Sequence, residues 1–209
     1  MLLSGEPGIG KSRLLRALRE KLRDEPHTPV SHFCSPFHQN SAFHPVIGLI
    51  ERAAGLRRDE SSNDQLDKLE ALLALTAENV QGVAPLVADL LGVPMGSRYA
   101  PLNLTPQEKK EKTLEVLVDQ LAGLAAREPV LALYEDLHWA DPSTIELLGR
   151  VVDRIQRLPI LGVMTCRREF ASPWAGYAHV TTLALNRLTR RVGKGSCADG
   201  RGDRARILA

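Results

Sequence analysis

The segment Gly5-Glu6-Pro7-Gly8-Ile9-Gly10-Lys11-Ser12 limits what this chain can fold into more than any other feature. It satisfies the pattern G-x-x-x-x-G-K-[ST] at every fixed position, the P-loop of nucleoside triphosphate sites. Each fixed residue has a physical task. Gly5, Gly8 and Gly10 are expected to let the backbone curl, so that successive N–H groups face phosphate oxygens. Lys11 brings a compact positive charge to the β- and γ-phosphates, and the Ser12 hydroxyl is suited to ligate Mg²⁺. Met1-Leu2-Leu3 reads as a short buried strand ahead of the loop, and Leu14, Leu15, Leu18 and Leu22 follow at helical spacing. The phosphates are therefore expected at a helix N-terminus. Gly5, Glu6, Pro7, Gly8, Ile9, Gly10, Lys11, Ser12 and Arg13 form the expected nucleotide-binding set.

A second motif lies far downstream, in the run LALYEDLHWADPST from Leu131 to Thr144. Val130 to Tyr134 is an apolar stretch of strand length that ends in two adjacent acids, Glu135 and Asp136. In P-loop proteins an acid at the end of such a strand holds Mg²⁺, often through water, beside the P-loop hydroxyl. A neighbouring carboxylate can orient or deprotonate the attacking water. Counting four apolar residues and then the acid makes Glu135 the metal-side residue and Asp136 the water-side one; the reverse is also open. Ser12, Glu135 and Asp136 are thus the expected metal set.

The pairing of GEPGIGKSRLL with YEDLHWADPSTIELL resembles the STAND/AAA-type ATPase domain of bacterial regulators. Further pieces agree: CSPFHQNSAFHPVI at Cys34 to Ile47, LTPQEKKEKTLEVL at Leu104 to Leu117, and CRREFASPW at Cys166 to Trp174. The resemblance runs over about residues 1 to 190, and the ED-LHWADPS segment is its most specific part. In that family the domain lies next to adenylate or guanylate cyclase catalytic domains, or ahead of LuxR-type DNA-binding domains. The resemblance implies ATP as the nucleotide, a role as a switch in signalling or transcriptional regulation, and protein partners or effector domains. ATP over GTP rests on the resemblance, since no base-reading motif is evident.

Composition bounds the remaining classes. A chain of 209 residues with 44% apolar content is long enough for one sizeable core. No apolar stretch approaches a membrane span, and the N-terminus lacks the pattern of a signal peptide. Three cysteines, Cys34, Cys166 and Cys197, have no C-x-x-C spacing and are odd in number, which argues against a disulfide framework. A cytoplasmic location is the expectation. The net charge of +2 is unevenly spread: residues 187 to 209 hold seven basic and two acidic side chains, whereas the rest hold 20 basic and 23 acidic. The mildly acidic main part gives no reason to expect direct nucleic-acid binding.

Strands are expected near residues 1–4, 29–33, 130–134, 160–165 and 180–185, with helices between them. That alternation predicts an α/β fold, a three-layer α/β/α sandwich of the P-loop NTPase type around a mostly parallel sheet. Thr105-Pro106-Gln107-Glu108 reads as a capping box at one helix start, and Asp141-Pro142 marks another. Residues 35–100 read as a helical insertion, with helices around Val46 to Ala54, Leu66 to Leu75 and Val83 to Leu91. The ATPase core is expected over residues 1–190. Residues 191–209, with four glycines and alternating charges, read as a disordered basic tail. The family-like pattern stops there, so a truncated end without the helical lid is the expectation, as is the absence of upstream residues that commonly contact adenine. The RGD at Arg201 to Asp203 reads as incidental.

Arg167 follows the strand Ile160 to Thr165, at the strand end where ligands sit in open α/β sheets. There it can sense the γ-phosphate and stabilise charge in the transition state, which the resemblance supports. Arg168 stands where the family usually has proline, leaving the choice between the two arginines open. Glu135, Asp136 and Arg167 are the expected catalytic set. His32, Cys34, His38 and His44 fit no standard zinc spacing. His138 is placed either to touch the water network of the site or to pack, Trp139 reads as packing, and Asp141 as an N-cap. Two other readings compete with an ATPase switch: a nucleotide-binding module with negligible hydrolysis, and a non-functional truncated fragment.

Overall fold

Side chains alternating at period two build the central sheet, and the computed structural model describes it within residues 1–187. Five strands, β1 (Leu2–Gly5), β2 (Thr28–Phe33), β3 (Val130–Glu135), β4 (Ile160–Cys166) and β5 (Thr182–Leu185), pair in parallel in the order β2-β3-β4-β1-β5. Both faces of β3 are buried, which is why its sequence is a continuous apolar run rather than an alternating one. Leu131 and Leu133 pack with Leu3 and Val163 against Leu15 of helix α1 (Lys11–Lys21). Val130, Ala132 and Tyr134 face the opposite layer, which includes Leu148 and Val152 of α6 (Pro142–Ile155) and Ala125 of α5 (Pro106–Arg127). The result is a three-layer α/β/α sandwich with a sheet that is parallel throughout.

The expected helix starts are present. Thr105 Oγ1 accepts from the Glu108 N–H, and Glu108 Oε2 accepts from the Thr105 N–H at 2.8 Å, a reciprocal box that opens α5. Between β2 and α5 lie α2 (His44–Ala54), α3 (Ser62–Leu73) and α4 (Val80–Leu91). Leu66, Leu69 and Leu73 of α3 close on Ala84, Val87 and Ala88 of α4, forming a small core of their own. Val46 of α2 joins Leu114 and Leu117 of α5 and Leu147 and Val151 of α6, tying these helices to the sheet layer.

No helix among the described residues is long and apolar enough to cross a membrane. The basic tail at 191–209, Cys197 and the RGD at Arg201 to Asp203 lie outside the described residues.

A candidate nucleotide site at the carboxyl edge of the sheet

Parallel strands put all their carboxyl ends on one edge, and the expected site residues follow those ends. Residues 6–10 leave β1 and enter α1, Glu135 closes β3 with Asp136 just beyond it, and Arg167 follows β4. Because β4 lies between β1 and β3 in the sheet, the loop and the acids are one strand apart. Ligands of open α/β sheets bind outside these carboxyl ends.

The loop geometry corrects one expectation. Gly8 (φ 76°) and Gly10 (φ 106°) adopt the left-handed region that makes the curl, but Gly5 does not. Gly5 ends β1, and a side chain there would meet Ile9 Cγ2 at 2.9 Å and Leu185 Cβ at 3.2 Å. Its glycine is required by close approach rather than by an unusual φ. Gly10 is the N-cap of α1 and provides no side-chain cap, and no acid occupies the first turn. Among the described residues the first N–H groups of α1 therefore have no side-chain cap, while Lys11 and Arg13 place positive charge at the positive end of the helix dipole. Cations at that end are unfavourable unless an anion sits with them, so this local arrangement suits a polyphosphate. Lys11 is 8% exposed, and its Nζ donates to the carbonyls of Gly5 at 2.9 Å and Glu6 at 3.1 Å. These bonds use two of its three donors, and the third has no partner among the described residues. Ser12 is exposed on the first turn of α1, available to a metal ion.

The two acids differ in surroundings. Glu135 continues the Leu131–Leu133 face toward α1 and lies 3.4 Å from the Arg19 guanidinium, which also donates to Ser31 Oγ at 3.2 Å. Asp136 has φ 59°, and its N–H donates to Thr165 Oγ1 at 3.0 Å. Asp is one of the few residues that tolerates this left-handed conformation. The turn it starts, Leu137–Trp139, carries His138, whose two ring nitrogens are buried without a hydrogen-bond partner among the described residues. Burial pulls the His138 pKa below its ordinary value; Asp136 opposes the shift, and the charges of Arg167 and Lys11 reinforce it. His138 thus lies within electrostatic reach of the loop lysine, one acid and the strand-end arginine.

The structure separates the two arginines. Arg167 lies over the Trp139 ring, 5.0 Å from its centroid, with Glu169 at 3.8 Å. Arg168 instead donates to the Leu185 carbonyl and to Asn186 Oδ1, fastening the end of β4 to that of β5. Trp139 is thus a platform for Arg167 as well as a packing residue. Asp141 is a buried cap: Oδ1 accepts from the Thr144 N–H at 3.0 Å and the Phe43 N–H at 3.3 Å.

His32, Cys34, His38 and His44 do not converge. His32 stacks on Tyr134, His38 stacks on His44, and burial pushes the Cys34 thiol up to about 12. Three contributors escaped the sequence reading: Arg19, Arg187, whose guanidinium lies 3.1 Å from the loop carboxylate Glu6, and Thr165 in its role as acceptor for Asp136. Only Thr165 had a legible signal, a hydroxyl at the end of an apolar strand.

Residues 1–163 match a family model described as an AAA ATPase domain. The chain belongs to the AAA ATPase domain family. It is a nucleotide-binding ATPase domain, and its loop and strand-end acids lie inside the matched region. This AAA domain is also 32% identical over 190 residues to an uncharacterized protein of Rhizobium meliloti (strain 1021). The match covers 90% of this chain and 18% of the relative, so the chain spans about a fifth of that protein's length. Among solved structures, Cdc6p from Pyrobaculum aerophilum is similar over 88% of this chain and 38% of its own, with a TM-score of 0.42 and 14% identity.

Proposed function

We propose that this AAA domain binds ATP with Mg²⁺ and hydrolyses it slowly, acting as a nucleotide switch within a larger signalling or transcriptional regulator. The observation that carries the reading is the uncapped N-terminus of α1, with Lys11 and Arg13 at its positive end and the acid pair one strand away. Lys11 and the loop amides, other than Pro7, which has no N–H, hold the phosphates. Ser12 and Glu135 hold the metal, because Glu135 lies on the sheet face over which α1 runs. Asp136, beside Thr165 and within reach of His138, orients the attacking water, and Arg167 meets the charge that develops on the γ-phosphate. A metal ion held by Ser12 and Glu135 would supply positive charge against the phosphates. Positioning and charge neutralisation supply most of the rate in such sites.

The unit that does this is proposed to be residues 1–190, with the helical insertion at about 35–100 as part of it. The relative is several times longer than this chain, which leaves room for effector domains or protein partners. A cytoplasmic setting without direct nucleic-acid contact fits the same reading.

A binding module with negligible turnover is the second reading, favoured by the Arg19–Glu135 pair, which occupies the proposed metal-side acid. Titration with a fluorescent ATP analogue, with and without Mg²⁺, followed by phosphate release, tests both. Mg²⁺-dependent binding with turnover, lost in Glu135→Gln and Asp136→Asn, supports the switch that hydrolyses. Tight binding with no release selects the second reading. Unchanged affinity in Lys11→Ala would overturn the site itself.

A further inference from the structure

Between the helical insertion and the sheet lies a cavity of about 140 Å³ that the nucleotide reading does not use. Its walls include Leu49 of α2, Val87 of α4, and Leu121 and Leu124 of α5; its floor is His32 of β2 and Tyr134 of β3. Among the described residues, no Asp, Glu, Lys or Arg lines it. A cavity of about 150 Å³ with comparable apolar walls stays dry and admits benzene. Ala53 and Leu75, both exposed, mark where this one reaches the surface between the ends of α2 and α3.

The floor is more specific than the walls. His32 is 6% exposed, stacks on Tyr134 with centroids 4.6 Å apart, and places Nδ1 3.3 Å from the Pro45 carbonyl. Burial pushes its pKa down to about 4, so the ring is neutral near pH 7. A neutral ring that donates from Nδ1 presents Nε2 as an acceptor. Tyr134 is 4% exposed, and no hydrogen bond ties its hydroxyl to another described residue. Unlike the His138 nitrogens, this oxygen is not sealed in the core without a partner, so the hydroxyl is accessible from a space that Tyr134 lines.

We propose that this cavity is a binding site for a small, neutral, ring-sized molecule that carries one hydroxyl or equivalent polar group. The apolar walls take the ring, and the acceptor on His32 and the donor on Tyr134 orient the polar group. Charged ligands are excluded because nothing in the lining compensates them. Tyr134 immediately precedes Glu135, so occupancy is coupled to the acid pair through β3.

Phenol and benzene are the probes, followed by thermal unfolding of the full chain. With phenol about a hundred-fold above its Kd, Tm rises by about 5 °C or more. Leu121→Phe, which fills the cavity, abolishes the rise. Tyr134→Phe keeps the volume; it weakens phenol about tenfold and leaves benzene unchanged. Absence of a shift with either probe, or a Tyr134→Phe variant that binds phenol as tightly as the parent, overturns the proposal, as does preference for a long-chain fatty acid over phenol. The same phenol titration on Lys11→Ala separates this site from the nucleotide reading, since binding there is expected to persist. The coupling alone rests on that reading: phenol is expected to change the affinity for the fluorescent ATP analogue at least about twofold. An unchanged affinity overturns the coupling.

Discussion

Thr165 Oγ1 accepts a hydrogen bond from the backbone N–H of Asp136 at 3.0 Å, joining β4 to the first residue beyond β3. The bond fixes a left-handed Asp136 next to the turn that carries His138 and Trp139. A single hydroxyl, 1% exposed, thereby sets the direction in which the second acid leaves the sheet.

Replacing Thr165 by valine keeps the shape and removes the acceptor. The Asp136 N–H is then left without its partner, at a cost of about 1–3 kcal/mol. Urea denaturation is expected to show that loss, and phosphate release to fall further than stability alone accounts for. Thr165→Ser restores both. Equal activity in the valine variant would show that the bond does not position Asp136.

Asp141 fastens two helices at once, capping α6 through Thr144 and holding the Phe43 N–H at the start of α2. Asp141→Ala is expected to cost about 3 kcal/mol, combining a lost cap with an unpaired buried N–H. Affinity for the ATP analogue should stay within about twofold of the parent, in keeping with a structural cost. A stable variant that no longer releases phosphate would give Asp141 a direct part in the chemistry.

His32 makes stability depend on pH. Its folded pKa, about 4, lies below its ordinary unfolded value of 6.5 because burial disfavours the charged ring. Between those values the unfolded chain binds more protons, so stability rises with pH there. The contribution is complete above about pH 6.5 and is lost as pH falls toward 4, on the order of 3 kcal/mol in all. Denaturation midpoints between pH 4 and 7 should show this slope in the parent and lose that part of it in His32→Leu.

Gly10 holds φ 106°, a conformation that side chains rarely adopt. No described residue lies within 4 Å of the place a methyl group would take there, so the penalty for Gly10→Ala is backbone strain rather than collision. About 1–3 kcal/mol is expected, taken up by distortion of the loop. The readout is weaker binding of the ATP analogue together with a Tm lowered by about 2 °C or more. Gly5→Ala differs, because there the methyl collides with Ile9 and must push β1 from Leu185.

The parts legible in the sequence are those encoded by neighbours along the chain. Glycine spacing announced the loop, the apolar run from Val130 to Tyr134 announced β3, and Thr105 with Glu108 announced the start of α5. Arg19 and Arg187 gave little warning, since their partners lie 116 and 181 positions away; the Thr165 hydroxyl was visible at a strand end, but its partner 29 positions away was not. Arg167 and Arg168 were indistinguishable as adjacent letters; only the end of β5 and the face of Trp139 sort them.

The sequence by itself determined the glycine-rich loop, the strand-end acids and the α/β alternation, because each depends on local conformational preference and side-chain period. Tertiary structure decided the strand order that sets β4 between the loop and the acids, the pairing of Glu135 with Arg19, and the cavity over Tyr134. These depend on which distant surfaces pack together, and no spacing within the chain records that choice.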